Sequence, residues 1–146
     1  MKAIIFLLLI SMGSVYAQDI SGSVSNITKL KGEALSTLGS TPYRAKEHQL
    51  IKDYFVGLME FSVQARDNSK MNRRLNSYLA SGDIAKFCSD ILLDTKDWNQ
   101  IKQNCTRNRF FLCSEEVNEF PEFKKTLSGS LSPANLEIFK NTPACQ

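Results

Sequence analysis

The stretch PYRAKEHQLIKDYFVGLMEFSVQARD, residues 42–67, decides the fold. Leu50, Ile51, Tyr54, Phe55, Leu58, Met59, Phe61 and Ala65 recur at three- and four-residue spacing and cover more than one narrow face. A helix apolar over most of its circumference packs on several sides, so this segment is expected at the centre of the molecule. Gly57 falls inside it, where a missing side chain allows a second helix to approach closely. Lys46, Glu47, Lys52 and Asp53 are expected on its solvent side. Thr41 is placed to cap its first turn and Pro42 to occupy its first helical position.

Downstream, the same 3.6-residue period repeats in shorter pieces separated by capping residues. Asp67-Asn68-Ser69 ends the long helix and starts one of about 70–80, with Met71, Leu75, Tyr78 and Leu79 inward and Gly82 as its stop. Asp83 then caps a helix carrying Ile84, Phe87, Cys88, Ile91 and Leu92. Asp94 and Thr95 begin another with Trp98, Ile101 and Cys105 on one side. The run Phe110-Phe111-Leu112-Cys113 reads as a buried loop or helical turn. No partner strand of matching alternation exists for it. Ser114 opens a helix rich in acids, and Pro121 forces a restart that carries Phe123 and Leu127. Ser128-Gly129-Ser130 reads as a loop. Ser132-Pro133 opens the last helix, with Leu136, Ile138 and Phe139, and Thr142-Pro143 ends it. The expected fold is all-α: a single disulfide-stabilised helical domain of five or six helices, spanning residues 41–146.

Upstream, residues 18–40 admit two readings. Ile20, Val24, Ile27, Ala34 and Leu38 keep helical spacing, but Lys31 interrupts the stripe and the serines lower helix propensity. The segment is either a mobile arm or a weak helix that orders against the body or a partner. Residues 1–17, MKAIIFLLLISMGSVYA, carry Lys2, a short apolar run and the small-residue pattern Val15-Tyr16-Ala17. They read as a signal peptide cleaved after Ala17, which places the mature chain in a secreted or periplasmic location. No second apolar run approaches the ~20 residues of a membrane helix.

The 146 residues carry a formal net charge of +3 at pH 7, or +2 once Lys2 leaves with the signal. That balance gives no general attraction for nucleic acid or for an anionic membrane. Cys88, Cys105, Cys113 and Cys145 are separated by 16, 7 and 31 residues. These intervals contain no C-x₂-C pair, the spacing that zinc and dithiol redox chemistry favour. In an exported chain two structural disulfides are the expectation, and no metal or cofactor is. Three connectivities are open. Cys88 with Cys105 and Cys113 with Cys145 suits a helical hairpin best.

Candidate reactive groups are few. His48, the only histidine, lies on the expected solvent side and has no associated catalytic motif. Glu60, between Met59 and Phe61, is the carboxylate whose burial would raise its pKa and suit it to general-acid work. A second carboxylate, Asp53, lies seven residues earlier, about 10 Å along a helix, slightly beyond the usual range of an inverting glycosidase pair. Arg66, Lys70, Arg73 and Arg74 form the densest basic group. Glu115, Glu116, Glu119 and Glu122 form an acidic counterpart. Each reads as a solvated face or as an interaction patch. The basic group contains no aromatic residue to stack nucleic-acid bases. Asn26 and Asn104 head glycosylation sequons. The expected function is a secreted or periplasmic protein-interaction module, an inhibitor, adaptor or accessory factor whose partner is another exported protein. The alternatives are a carrier of a small apolar ligand and a small hydrolase using Glu60.

Overall fold

The computed structural model describes residues 20–107 and 113–146. The signal-peptide reading and the reading of Phe110-Phe111-Leu112 both lie outside these residues. Among them every regular element is helical: α1 (Ile20–Leu35), α2 (Ala45–Asp67), α3 (Ser69–Ser81), α4 (Ile84–Ile91), α5 (Thr95–Thr106), α6 (Ser114–Asn118), α7 (Phe120–Gly129), α8 (Pro133–Lys140) and a final 3₁₀ turn, Pro143–Cys145. This exceeds the five or six helices expected. The weak N-terminal segment is itself helical, and the acidic segment breaks into two helices at Glu119, just ahead of Pro121.

The long helix is central, as its apolar circumference requires. It packs against α1 on one side, α7 and α6 on another, and α3 at its end. Ile51, Tyr54, Phe55 and Leu58 are sealed from solvent. Phe55 meets Phe120 of α7 edge-on at 5.8 Å, and Trp98 of α5 closes over the same ring at 5.7 Å. These rings fill the space between helices with one another. Gly57 marks a close approach: a Cβ built there would stand 3.0 Å from Leu30 Cδ1 of α1.

The residue that interrupts the α1 stripe has a structural use. Lys31 Nζ donates to the Ser89 carbonyl in the last turn of α4, which holds α1 against α4. Partial burial pulls the Lys31 ammonium below the ordinary lysine value, while Asp94, Asp90 and Asp97 act in the opposite direction.

The helix starts follow local chemistry. Side chains of Asn68, Asp83, Asp94 and Ser132 accept hydrogen bonds from backbone N–H groups of Met71, Lys86, Asp97 and Asn135. The start of α2 departs from this pattern. Thr41 does not cap it and Pro42 does not open it; the helix begins at Ala45, and Arg44 at the cap position is extended with no side-chain cap. The reason is Tyr43. Its ring is buried, with its hydroxyl 2.6 Å from that of Thr37, and delivering it inward moves the helix start on to Ala45. Likewise Ser128 and Gly129 continue α7 instead of forming a loop, and the turn falls at Ser130–Leu131.

All four cysteines are bridged, but not as a hairpin would pair them. Cys88 bonds Cys145 and Cys105 bonds Cys113, with Cα–Cα distances of 5.1 Å and 5.5 Å. A hairpin pairing needs α4 and α5 side by side. Instead α4 turns its buried face, with Cys88, to α1, α8 and the C-terminal turn that carries Cys145. The α5 helix packs on α6, so Cys105 at the end of one meets Cys113 at the start of the other. Two intramolecular bridges suit an oxidising compartment. No helix among the described residues is long and apolar enough to cross a membrane.

Candidate interaction surface

The inward residues of α3 are Met71, Leu75 and Leu79. Their period leaves Arg73, Arg74, Ser77 and Ser81 facing away from the core. These line an open groove of about 470 Å³ together with Tyr78 and the first residues of α1, Ile20 and Ser21. Tyr78 is half-buried against the Phe87 ring, 6.4 Å away. Ile20 is buried. The groove therefore has an apolar floor and a basic rim.

The basic group of the sequence divides here. Arg66 grips its neighbour Asp67 through two hydrogen bonds, 2.7 Å and 2.9 Å. That contact raises the Arg66 pKa and lowers the Asp67 pKa. Both side chains are exposed, so the pair adds little stability; its effect is to neutralise Arg66 as a docking group. Lys70 is exposed and outside the groove lining. Arg73 and Arg74 remain, side by side on the rim, and neither has an ion pair among the described residues. An aromatic ring from beyond the basic cluster lines the same groove: Tyr78 is four residues past Arg74, one helical turn along the same face.

The acidic group lies at the other end of α2. Glu115 and Glu116 occupy the first turn of α6, Glu119 links α6 to α7, and Glu122 falls in the first turn of α7. Glu116 pairs with Lys52 at 3.7 Å. Lys52 and Arg66 are fourteen residues apart on one helix, about 21 Å. The two charged patches are thus separate features, and no site unites them.

His48 is the clearest departure from expectation. It is buried, with 2% of its surface exposed. Its ring stands edge-on to Tyr43 at 5.7 Å, and Nδ1 lies 3.0 Å from Cys113 Sγ. Burial lowers its pKa from the usual histidine value, while Glu47 acts in the opposite direction. Nearby, the Asn104 amide donates to the Tyr43 hydroxyl at 3.3 Å, and Gln100 donates to Asn104 Oδ1 at 3.2 Å. The sequence places Thr37, Tyr43, His48, Asn104 and Cys113 in four separate segments, so no local pattern announces this buried cluster. A second unannounced network joins α3 to the start of α8. Asn76 Oδ1 accepts from the Ser132 backbone and from Asn135 Nδ2, while Asn72 and Asn76 both donate to the Ser130 carbonyl.

Glu60 is solvent-exposed, so the burial on which a general-acid role depends is missing. It borders a small groove with Ser23, Asn26 and Gln64. Asp53 is exposed elsewhere on the helix and accepts from Gln49 at 2.7 Å. Of the two sequon asparagines, Asn104 is buried at 1% exposure and closed to glycosylation in the folded protein; Asn26 is exposed. Among the described residues, no group of three His, Cys, Asp or Glu side chains is placed to hold a metal ion.

No protein-family model, no curated protein and no solved structure matches the chain. What the fold defines is a class, an all-α protein tied by two disulfides.

Proposed function

We propose that this chain is a protein-interaction module, an inhibitor, adaptor or accessory factor working on another exported protein in a secreted or periplasmic compartment. The observation that carries this reading is the pair Arg73 and Arg74. Two adjacent guanidinium groups stand on the rim of an open groove, and neither has an ion pair among the described residues. Arginine is enriched where one protein docks on another. The apolar residues that a ligand carrier would turn toward a cavity, such as Phe55, Leu58, Phe120 and Leu127, are buried in the core. The two disulfides and the signal-like residues 1–17 support the compartment.

Cross-linking in the native exported fraction, followed by mass spectrometry, tests the reading. One specific exported protein is expected in stoichiometric amount. Recovery of no protein, with an apolar small molecule co-purifying instead, would overturn it in favour of a carrier.

A further inference from the structure

We propose that the groove between α1 and α3 is a docking site for an acidic peptide segment, in which carboxylates flank one apolar side chain. This rests on the interaction reading above and names the partner's chemistry. Arg73 is exposed and Arg74 half-buried, and both border the groove without a carboxylate among its lining residues. The contrast with Arg66, already held by Asp67, is informative. A planar guanidinium with five donors binds carboxylates through paired hydrogen bonds. Here two such forks, on adjacent residues, have no carboxylate partner among the described residues. Beside them, Tyr78 of α3 and Ile20 of α1 supply an apolar surface, and Ser21 and Ser77 add hydroxyls.

The shape selects among occupants. A small ligand is normally enclosed over most of its surface. This groove is an open trough, which suits a segment of chain whose remainder stays in solvent. A nucleic-acid strand calls for a basic track along its backbone. The groove offers two cations, and the remaining basic neighbours are either neutralised, as Arg66 is, or outside it, as Lys70 is. A second copy of this chain could present Glu115 and Glu119, so self-association must be separated from docking of a foreign segment.

The test measures fluorescence anisotropy with a labelled peptide of alternating Glu and Phe, against the same peptide with Gln for Glu. Saturable binding of the Glu peptide is expected. It should weaken at least tenfold in the Arg73→Glu/Arg74→Glu double variant and less than about twofold in Lys70→Glu. Equal binding of the Gln peptide, or undiminished binding by the double variant, overturns the proposal. So does tighter binding of a labelled single-stranded oligonucleotide, which would assign the groove to phosphate and base. Sedimentation of the wild type at low salt distinguishes a second copy: a self-associated state that the double variant abolishes also overturns a foreign acidic partner. Circular dichroism checks that the double variant folds. Cross-linking of wild type and double variant in the exported fraction separates the two levels. A partner captured equally by both keeps the interaction module and removes the groove. A partner captured by neither removes the interaction module itself.

Discussion

His48 Nδ1 stands 3.0 Å from Cys113 Sγ and so joins the first turn of α2 to the disulfide that closes the connection between α5 and α6. The imidazole is buried, and its folded-state pKa lies below the unfolded value of about 6.5. Between those two values the unfolded chain binds the extra proton. Stability contributed by neutral His48 is therefore complete above about pH 6.5 and falls as pH drops toward the folded pKa. Urea unfolding of wild type and His48→Gln at a series of pH values checks this. The wild-type advantage should be level above about pH 7 and shrink below about pH 6. A constant difference down to pH 5 would show that the ring is not buried as a neutral group.

The two disulfides should contribute unequally. Cys88–Cys145 spans 57 residues and Cys105–Cys113 spans 8. In the chain-entropy account, the longer loop removes more freedom from the unfolded state, about 4 kcal/mol against about 2.5 kcal/mol. The Cys88→Ser/Cys145→Ser variant should therefore unfold at lower urea than Cys105→Ser/Cys113→Ser. The opposite order would mean that contacts around Cys113, His48 among them, outweigh loop entropy.

These two cases show where sequence reading stops. Caps at Asn68, Asp83, Asp94 and Ser132 were legible because a side chain and the N–H it accepts from are three residues apart. The central place of α2 was legible for the same reason, since one turn of helix displays its own apolar face. The burial of His48 was not. It depends on Tyr43, which delays the helix, and on Cys113, 65 residues away. The disulfide pairing depends on which helices become neighbours, and the 16, 7 and 31 spacings are compatible with all three pairings. The basic group was legible as residues. Its division into an Arg66 held by Asp67 and an Arg73 and Arg74 with no ion pair among the described residues required the structure. Tyr78 was within reach, because its four-residue offset from Arg74 already put both on one helical face.

Gly57 and Leu30 should show energetic coupling. Alanine in place of glycine inside a helix gains about 1 kcal/mol in propensity. At residue 57 the new methyl meets Leu30 Cδ1 at 3.0 Å, and Leu30 must shift to admit it. Gly57→Ala alone should therefore realise only part of that gain. In a Leu30→Ala background the obstruction is gone, and the same change should deliver the full ~1 kcal/mol. Thermal or urea unfolding of the four variants gives the coupling; strict additivity would mean that α1 does not press on α2 there.

Tyr54 offers a cleaner probe of the core, because its hydroxyl is sealed from solvent and tied to the link between α4 and α5. It donates to the Ile91 carbonyl at 2.6 Å, and a backbone hydrogen bond with Leu93 also engages it. Burial pushes the phenol pKa far above that of an ordinary tyrosine, so the group stays neutral through the working pH range. Tyr54→Phe keeps the ring against Phe55, 4.9 Å away, and removes only the hydroxyl. The Ile91 carbonyl then loses its side-chain donor in a place water does not reach, which costs about 1–3 kcal/mol. Because the hydroxyl is neutral, this loss should be the same at pH 6 and pH 9. Urea midpoints at the two pH values decide it: no deficit at either pH would show that the hydrogen bond adds nothing beyond the packing of the ring.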